Sequence, residues 1–365
     1  MNLTQATPDA PQKIPPNMTI ASAGLCCSLG YHLDAAVCAL RANMDHFQES
    51  EFISQTSDPI RVASLPDQLF GEERLQRWVE YAVRDCAQRM TDARSLFDVT
   101  RTAVIVLGSD HSRPHADGQT VANIVWRAMT QLCSDVADNT PYSTKPGILV
   151  VSQGRAGLGQ ALLNAAQLLV KGQAEQVLLI GVDSYLNAAD INTYLQAERL
   201  FVSGNTDGFL PGEAAAALLL RIAPTGAAGL SIKGVGLANE PGQPDGSVPS
   251  LAQGLTQAIR TACEQANIAP TDLDFRISDQ NGEQFFAKEA ANAITRVMFG
   301  GHKLTHLTLA DKIGEVGAAS GPAMLAWLTR DMADANYSPG NSGLIHLASD
   351  HGARCAVVIA HQGES

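Results

Sequence analysis

Blocks of apolar and polar residues follow one another along the chain in an order that predicts strand and helix by turns. Thr19 to Ala23 reads as a short strand, followed by the turn GLCCSLG and the helix YHLDAAVCALRANM. Residues 45 to 75 are mixed and polar, with little periodicity. Glu72 to Met90 reads as a helix, because Leu75, Trp78, Val79, Ala82 and Val83 recur at helical spacing. RTAVIVLGSD (101–110) is a buried strand and TVANIVWRAMTQLC the next helix. The run Ile148 to Val151 is a strand that meets a glycine-bearing turn, Ser152 to Arg155. The helix beyond it carries one apolar stripe (Leu158, Ala161, Leu162, Ala165, Leu168, Leu169) and stops at Lys171-Gly172. QVLLIGVDS is apolar almost throughout, so it is expected to be covered on both faces. Ala214 to Ile222 reads as a further strand.

The second half repeats this grammar. GLSIKGVGLA is a strand, and LAQGLTQAIRTACEQANI, after a Pro/Gly-rich loop, is a helix. DFRIS is a short strand, KEAANAITRVM a helix, and HLTLADKIGEVGAASGPAMLAWLTRDM a strand, loop and helix. GLIHLAS and ARCAVVIAH make a closing hairpin. Two successive sets of parallel strands interleaved with helices predict a layered α/β protein with buried sheets, built by duplication although the halves share no obvious repeat. The expected divisions are a mobile tail over 1–18, an N-terminal half over 19–225 and a C-terminal half over 226–365.

Composition narrows the class. A chain of 365 residues, 45% hydrophobic and 17% charged, has the balance of a water-soluble globular protein with a well-filled interior. Its formal charge of −12 argues against nucleic acid or an anionic membrane as main partner. No run of 18 apolar residues occurs, and MNLTQATPDAPQKIPPN lacks the basic-then-apolar order of a signal peptide. Seven cysteines without CxxC spacing fit reduced thiols, so a cytoplasmic location is expected. Adjacent Cys26 and Cys27 read as core residues. His302 and His306 are four apart but fall on a strand pattern, which sets them too far apart to share a metal, and His111 and His115 flank a proline in a polar loop. Nothing in the sequence calls for a cofactor or a metal.

The stretch TDGFLPGEAAAALLLR (206–221) resembles the "RDGFVxGEGAGxLVLE" signature of β-ketoacyl-ACP synthases. GLCCSLGYHLDAAVCALRANMDHF is similar to their N-terminal "GxVSPLGxxxxxxWxxLxxGxSG". The elbow helix with KGQAEQVLLIGVDS resembles "ACxSGxxAIxxAxxxIxxGxADxxxAGGxE", and ADKIGEVGAASGPAMLAWLTRDM resembles "KSxxGHxxGAAGxxExxxxxLxL". The four keep their order from about residue 19 to residue 361. The resemblance implies the thiolase fold, five layers α/β/α/β/α from two similar halves, and a dimer. Gly208 and Gly212 permit tight turns, and Glu213, beside a buried strand, needs a hydrogen-bonded or charged partner.

The chemistry of such synthases needs a thiolate that is both good nucleophile and good leaving group, activated at a helix N-terminus. Counting back from Gly172 by the family spacing puts the nucleophile at Arg155, aligning on Gly157-Leu158 puts it at Gly154, and a small insertion makes it Gln153. None can form an acyl thioester. Ser152 is the remaining hydroxyl, without an evident base. The position of the "NAHGTxT" histidine falls on Asp279, Gln280 or Asn281. Lys312 matches the "KSxxGH" lysine, but Glu315 replaces its histidine, and a carboxylate there repels a developing enolate. The "GFGGxN" loop is replaced by ASDHGAR, where only Gly352 survives. Asp350 and His351 with Glu315 and Lys312 are expected to form a polar cluster in the former pocket, able to support hydrolysis.

No catalytic residue is therefore expected, and three functions follow. The first is an inactive synthase-like adaptor or scaffold. The run RANMDHFQESEFISQTSDPIRVASLP is similar to the synthase-like proteins encoded beside type VI secretion effectors, which makes a protein effector the expected partner. The second is a chain-length-factor-like subunit of an active ketosynthase, a class carrying Gln at the nucleophile position, as Gln153 would be. The third is an atypical acyltransferase or thioesterase. The partners expected are a second copy or another synthase-like chain, an effector, or an acyl-carrier protein.

Overall fold

The structure, a computed structural model, describes residues 13–114, 116–136, 147–298 and 303–363. The first half runs β1 (Met18–Cys27), α1 (Leu33–Arg41), β2 (Phe47–Ile53), β3 (Pro59–Ala63), α2 (Gly71–Gln88), β4 (Thr102–Leu107), α3 (Gly118–Val136), β5 (Ile148–Val151), α4 (Gly157–Val170), β6 (Gln176–Ser184), α5 (Ala188–Gln196) and β7 (Glu213–Ile222). The second runs β8 (Gly229–Asn239), α6 (Gln253–Ala266), β9 (Phe275–Ser278), α7 (Gln284–Val297), β10 (Thr305–Thr308), α8 (Ala310–Ile313), α9 (Ser320–Asp331), β11 (Ser342–Ala348) and β12 (Ala353–Gln362).

The strand order is β10-β9-β11-β12-β8-β1-β7-β6-β4-β5. Each half contributes its five strands in the same order (third, second, fourth, fifth, first), and the halves meet where Thr19 of β1 pairs with Ser231 of β8. The sheets are mixed rather than wholly parallel: β7 runs antiparallel to β1 and β6, and β12 antiparallel to β8 and β11. Long apolar runs show that a strand is covered on both faces but not which way it runs.

Five layers follow from which faces are apolar. Helices α2 and α3 cover the outer face of the first sheet, with Trp78, Val83, Ile124 and Met129 against Leu178, Ile180 and Leu219. Helices α4 and α9 lie between the sheets, where Leu158, Leu162, Met324 and Leu325 meet Leu179, Leu218, Ile277 and Ile345. Helices α6 and α7 close the far side, with Leu255, Ile259 and Ala293 against Leu344 and Val358. This is the thiolase fold, α/β/α/β/α. The duplication extends to backbone contacts. A β-carbon on Gly24 of β1 would run into the Ala82 carbonyl of α2, and one on Gly236 of β8 into the Ala258 carbonyl of α6. Gly24→Ala is therefore expected to cost about 1–3 kcal/mol, read as a lowered denaturation midpoint; an unchanged midpoint would mean that α2 does not pack this closely.

Two segments differ from expectation. Residues 47–63 form a hairpin, β2–β3, whose burial pattern is irregular because it is an excursion over the core rather than part of the main sheet. Of the expected tail, residues 1–12 lie outside the described residues, but Ile14 and Met18 are buried in the central core, so that part of the chain is anchored. No helix among the described residues is long and apolar enough to cross a membrane.

Candidate functional site

Strand β5 hands the chain to α4 through Gln153 and a single turn of 3-10 helix, Gly154–Ala156. Gly154 sits at φ +58°, a conformation open to glycine, and the matching turn before α9, Gly317–Ala319, also opens on a glycine at φ +52°. The two turns face each other across the middle layer. Arg155, which is 5% exposed, reaches from the first turn to Glu315 beside the second.

The Arg155 guanidinium is held from three sides. Nη1 donates to Glu315 Oε2 at 2.6 Å, Nη2 to Asp350 Oδ1 at 3.2 Å, and Nε lies 3.4 Å from Asp279 Oδ2. The Phe286 ring packs 4.6 Å from the guanidinium carbon. Asn281 Nδ2 donates to Glu315 at 2.8 Å and to Glu283 at 3.0 Å. Arg199 completes the ring, with Nε on Glu283 at 2.6 Å and Nη1 on Asp350 at 2.8 Å, and Tyr194 donates its hydroxyl to Asp350 at 3.2 Å. Two arginines and four carboxylates thus fill the crevice.

Burial raises the Asp279 pKa to about 6, against the opposing pull of Arg155. Burial works the same way on Asp350, but Arg199 and Arg155 outweigh it and hold that carboxyl well below its ordinary range. Burial would lower the Arg155 pKa, yet Glu315, Asp279 and Asp350 push it well above the usual value, so its charge is permanent.

One backbone donor at each of the two helix starts is engaged as well. Ser349 accepts from the Ala156 amide at 3.0 Å and donates to the Gln153 carbonyl at 2.5 Å. The Gly317 amide donates to Glu315 at 2.8 Å. An amide with an internal acceptor is not free to stabilise an oxyanion. Beside Glu315 lies a cavity of about 10 Å³, lined by Asp279, Leu309, Ile313, Val316 and Met324. That is room for about one water and for no acyl chain.

Of the residues singled out in sequence, the structure brings together Arg155, Asp279, Asn281, Glu315 and Asp350. Gln153 points outward and is exposed, and Gln280 stands beside the cluster without joining its ion pairs. Lys312 pairs with Asp311 at 3.1 Å instead. His351 is exposed and lies 3.6 Å from Asp110, its ring 5.5 Å from that of His111. Ser152 is half-buried outside the ring of charges. His115 and His302 lie outside the described residues. His306 sits on β10 within 2.7 Å of the Ser278 hydroxyl. No group of three or more metal-ligating side chains placed to hold an ion occurs among the described residues. Cys26 and Cys27 are fully buried, and burial pushes the Cys27 thiol up to about 11. Glu213 finds its partner in Arg74, whose Nε lies 2.9 Å and 3.0 Å from the two carboxylate oxygens.

Burial and the nearby Arg276 lower the His306 pKa to about 4, and burial holds His346 well below its ordinary value. These imidazoles take up protons more readily when unfolded, so their contribution is complete above about pH 6.5 and is lost as pH falls toward 4. His306→Gln is expected to flatten the fall in melting temperature over that window; an unchanged slope would remove His306 from the account.

Sequence reasoning missed Arg199, Glu283, Tyr194 and Phe286. It also missed Arg113, which donates to Asp183 at 2.8 Å and Asp190 at 2.6 Å while packing 3.8 Å from the Tyr185 ring. One signal was available: Asp183 is a lone charge at the end of an otherwise apolar strand, and a charge there demands a partner.

A large mixed sheet in five layers, with a turn and a buried helix entering the crevice from each half, defines the class: a thiolase-fold protein. No family model matches the chain, and no curated protein matches it. Among solved structures it is similar to a ketosynthase (ApeO) in complex with its chain length factor (ApeC) from Xenorhabdus doucetiae, at 14% identity and TM-score 0.68, over 97% of this chain and 100% of that one. A β-ketoacyl synthase from Burkholderia phymatum matches at 17% identity and TM-score 0.71, over 95% and 100%. The type II ketosynthase AntDE, in complex with its acyl-carrier protein AntF, matches at 14% identity and TM-score 0.72, over 95% and 99%.

Proposed function

We propose that this chain is a non-condensing protein of ketosynthase fold that works by binding another protein. The observation that carries the reading is the place of Arg155. At the helix start where a condensing enzyme would present its thiol stands a guanidinium, tied to Glu315, in the place of one family histidine, and to Asp279, one of three candidates (Asp279, Gln280, Asn281) for the place of the other. A permanently protonated arginine is no nucleophile, and its carboxylate partners disfavour an enolate. The 10 Å³ cavity excludes an acyl chain.

The partner best supported is a second chain of the same fold, because relatives in structure include a ketosynthase in complex with its chain length factor and another ketosynthase/chain length factor pair. In a chain-length-factor-like role the protein would pair with an active synthase and touch the growing acyl chain, if at all, only through that partner. The adaptor role toward a type VI secretion effector rests on the 41–66 segment alone. Co-expression with ketosynthase chains of the same genome, followed by native mass spectrometry, separates the two. A one-to-one complex with a cysteine-bearing synthase supports the first partner. A homodimer that leaves every such synthase free and carries an effector instead would replace it with the second.

A further inference from the structure

A second site lies on the outer face of the first sheet, away from the crevice. Between Ile20 and Ser22 the pairing of β1 with β7 shifts by one residue, which leaves Ala21 without a register partner and exposed. The small side chain at this bulge leaves a pocket of about 270 Å³, floored by Ala21 and Leu219. Three arginines line it: Arg89 just past the end of α2, Arg101 before β4, and Arg221 near the end of β7.

Arg221 is the unusual member. Its strand is otherwise alanine and leucine from Ala214 to Leu220. Its Nε donates to Gln176 Oε1 at 2.7 Å, Nη2 engages the same oxygen, and among the described residues no carboxylate lies within ion-pair distance. Gln176, 1% exposed, is itself fixed by donating to Ser95 O and Thr102 Oγ1. A buried neutral amide therefore aims the guanidinium without neutralising it. The other two arginines are paired, Arg101 with Glu175 at 2.7 Å and Arg89 with Asp34 at 3.0 Å and Asp85 at 2.9 Å. Arg101 and Glu175 are both exposed, and an exposed pair of this kind exchanges partners at little cost, whereas Arg89 stays tied to Asp85, which is 6% exposed. Asp92 is the lining carboxylate, but it accepts from the Ser95 amide at 3.3 Å and lies 3.7 Å from Arg101. In a chain of charge −12, a fixed and uncompensated arginine in a pocket points to an anion.

We infer that this pocket binds a small phosphate-class oxyanion, whose several acceptor oxygens suit guanidinium forks from different directions. The inference is independent of the proposed function. The test is saturable binding of inorganic phosphate and pyrophosphate to the full chain, by calorimetry and by thermal shift at matched ionic strength against chloride. Two variants accompany it: Arg221→Gln, which removes the aimed charge, and Ala21→Leu, which fills the pocket and leaves every charge in place. Saturable stabilisation of the wild type, weakened about tenfold or more in both variants, is expected. Absence of saturable binding in the wild type, or equal binding in either folded variant, overturns the site.

Discussion

Arg155→Met is expected to lower the stability of the fold by about 3–5 kcal/mol, because it removes one member of a buried ionic cluster and leaves the others charged. Glu315 and Asp279 lose their principal cation, and both are nearly inaccessible to water, at 3% and 5% exposure. Arg199 compensates Asp350 and Glu283 but is tied to them already. The partner substitution separates charge from packing. Arg155→Met with Glu315→Gln is expected to be more stable than Arg155→Met alone, since the second change removes a stranded carboxylate and keeps its shape. Urea denaturation of the four proteins of the cycle reads the coupling. An Arg155→Met midpoint within about 0.5 kcal/mol of wild type would mean that the cluster does not hold the crevice together. Arg155→Cys is likewise expected not to confer condensation, because Glu315 and Asp279 still face that position and the cavity beside Glu315 still has room for only about one water.

The second large effect is expected at Arg113→Leu, again about 3–5 kcal/mol. Arg113 is the cation between Asp183 and Asp190, which are 5% and 2% exposed. Asp183 also accepts from the Ala318 amide at 2.9 Å and so fixes the turn that leads into α9. The loss therefore reaches the central layer. Burial already raises the Asp183 pKa, with Arg113 opposing it, and removing Arg113 raises it further. A carboxyl whose folded pKa exceeds its unfolded value costs stability above that pKa, and the cost fades as pH falls and the group protonates. The gap in melting temperature between wild type and Arg113→Leu should accordingly narrow from pH 7 toward pH 4. A gap that stays constant or widens would show that Arg113 acts through packing alone.

The layered fold was legible because its signals are local and repetitive. The run QVLLIGVDS and the stripe Leu158, Leu162, Ala165, Leu169 are periodic whatever surrounds them, and most of the strand and helix order followed from such runs, although α5 (Ala188–Gln196) did not. The β2–β3 hairpin was not, because its Ile60 and Val62 pack on a cap of aromatic and aliphatic side chains (Tyr194, Leu200, Phe209) that come from distant segments. The site was legible only in part, and for a similar reason. Glu315 and Asp279 stand out beside motifs with a fixed place in the fold, whereas Arg199 lies in the irregular stretch QAERLFVSG, where one arginine among polar neighbours looks solvent-exposed. Spacing alone left Gln153, Gly154 and Arg155 as alternatives, because each rests on a different count. The three differ in where the side chain goes: Gln153 out to solvent, Gly154 nowhere, Arg155 inward.

Intact-mass spectrometry after incubation with acyl-CoA and acyl-carrier-protein thioesters tests the central claim most directly. The account expects the unmodified mass at every chain length offered, while a cysteine-bearing ketosynthase in the same tube gains the acyl group. A stoichiometric acyl adduct on this chain, mapped to the 152–156 turn and cleared on adding a malonyl thioester, would contradict it.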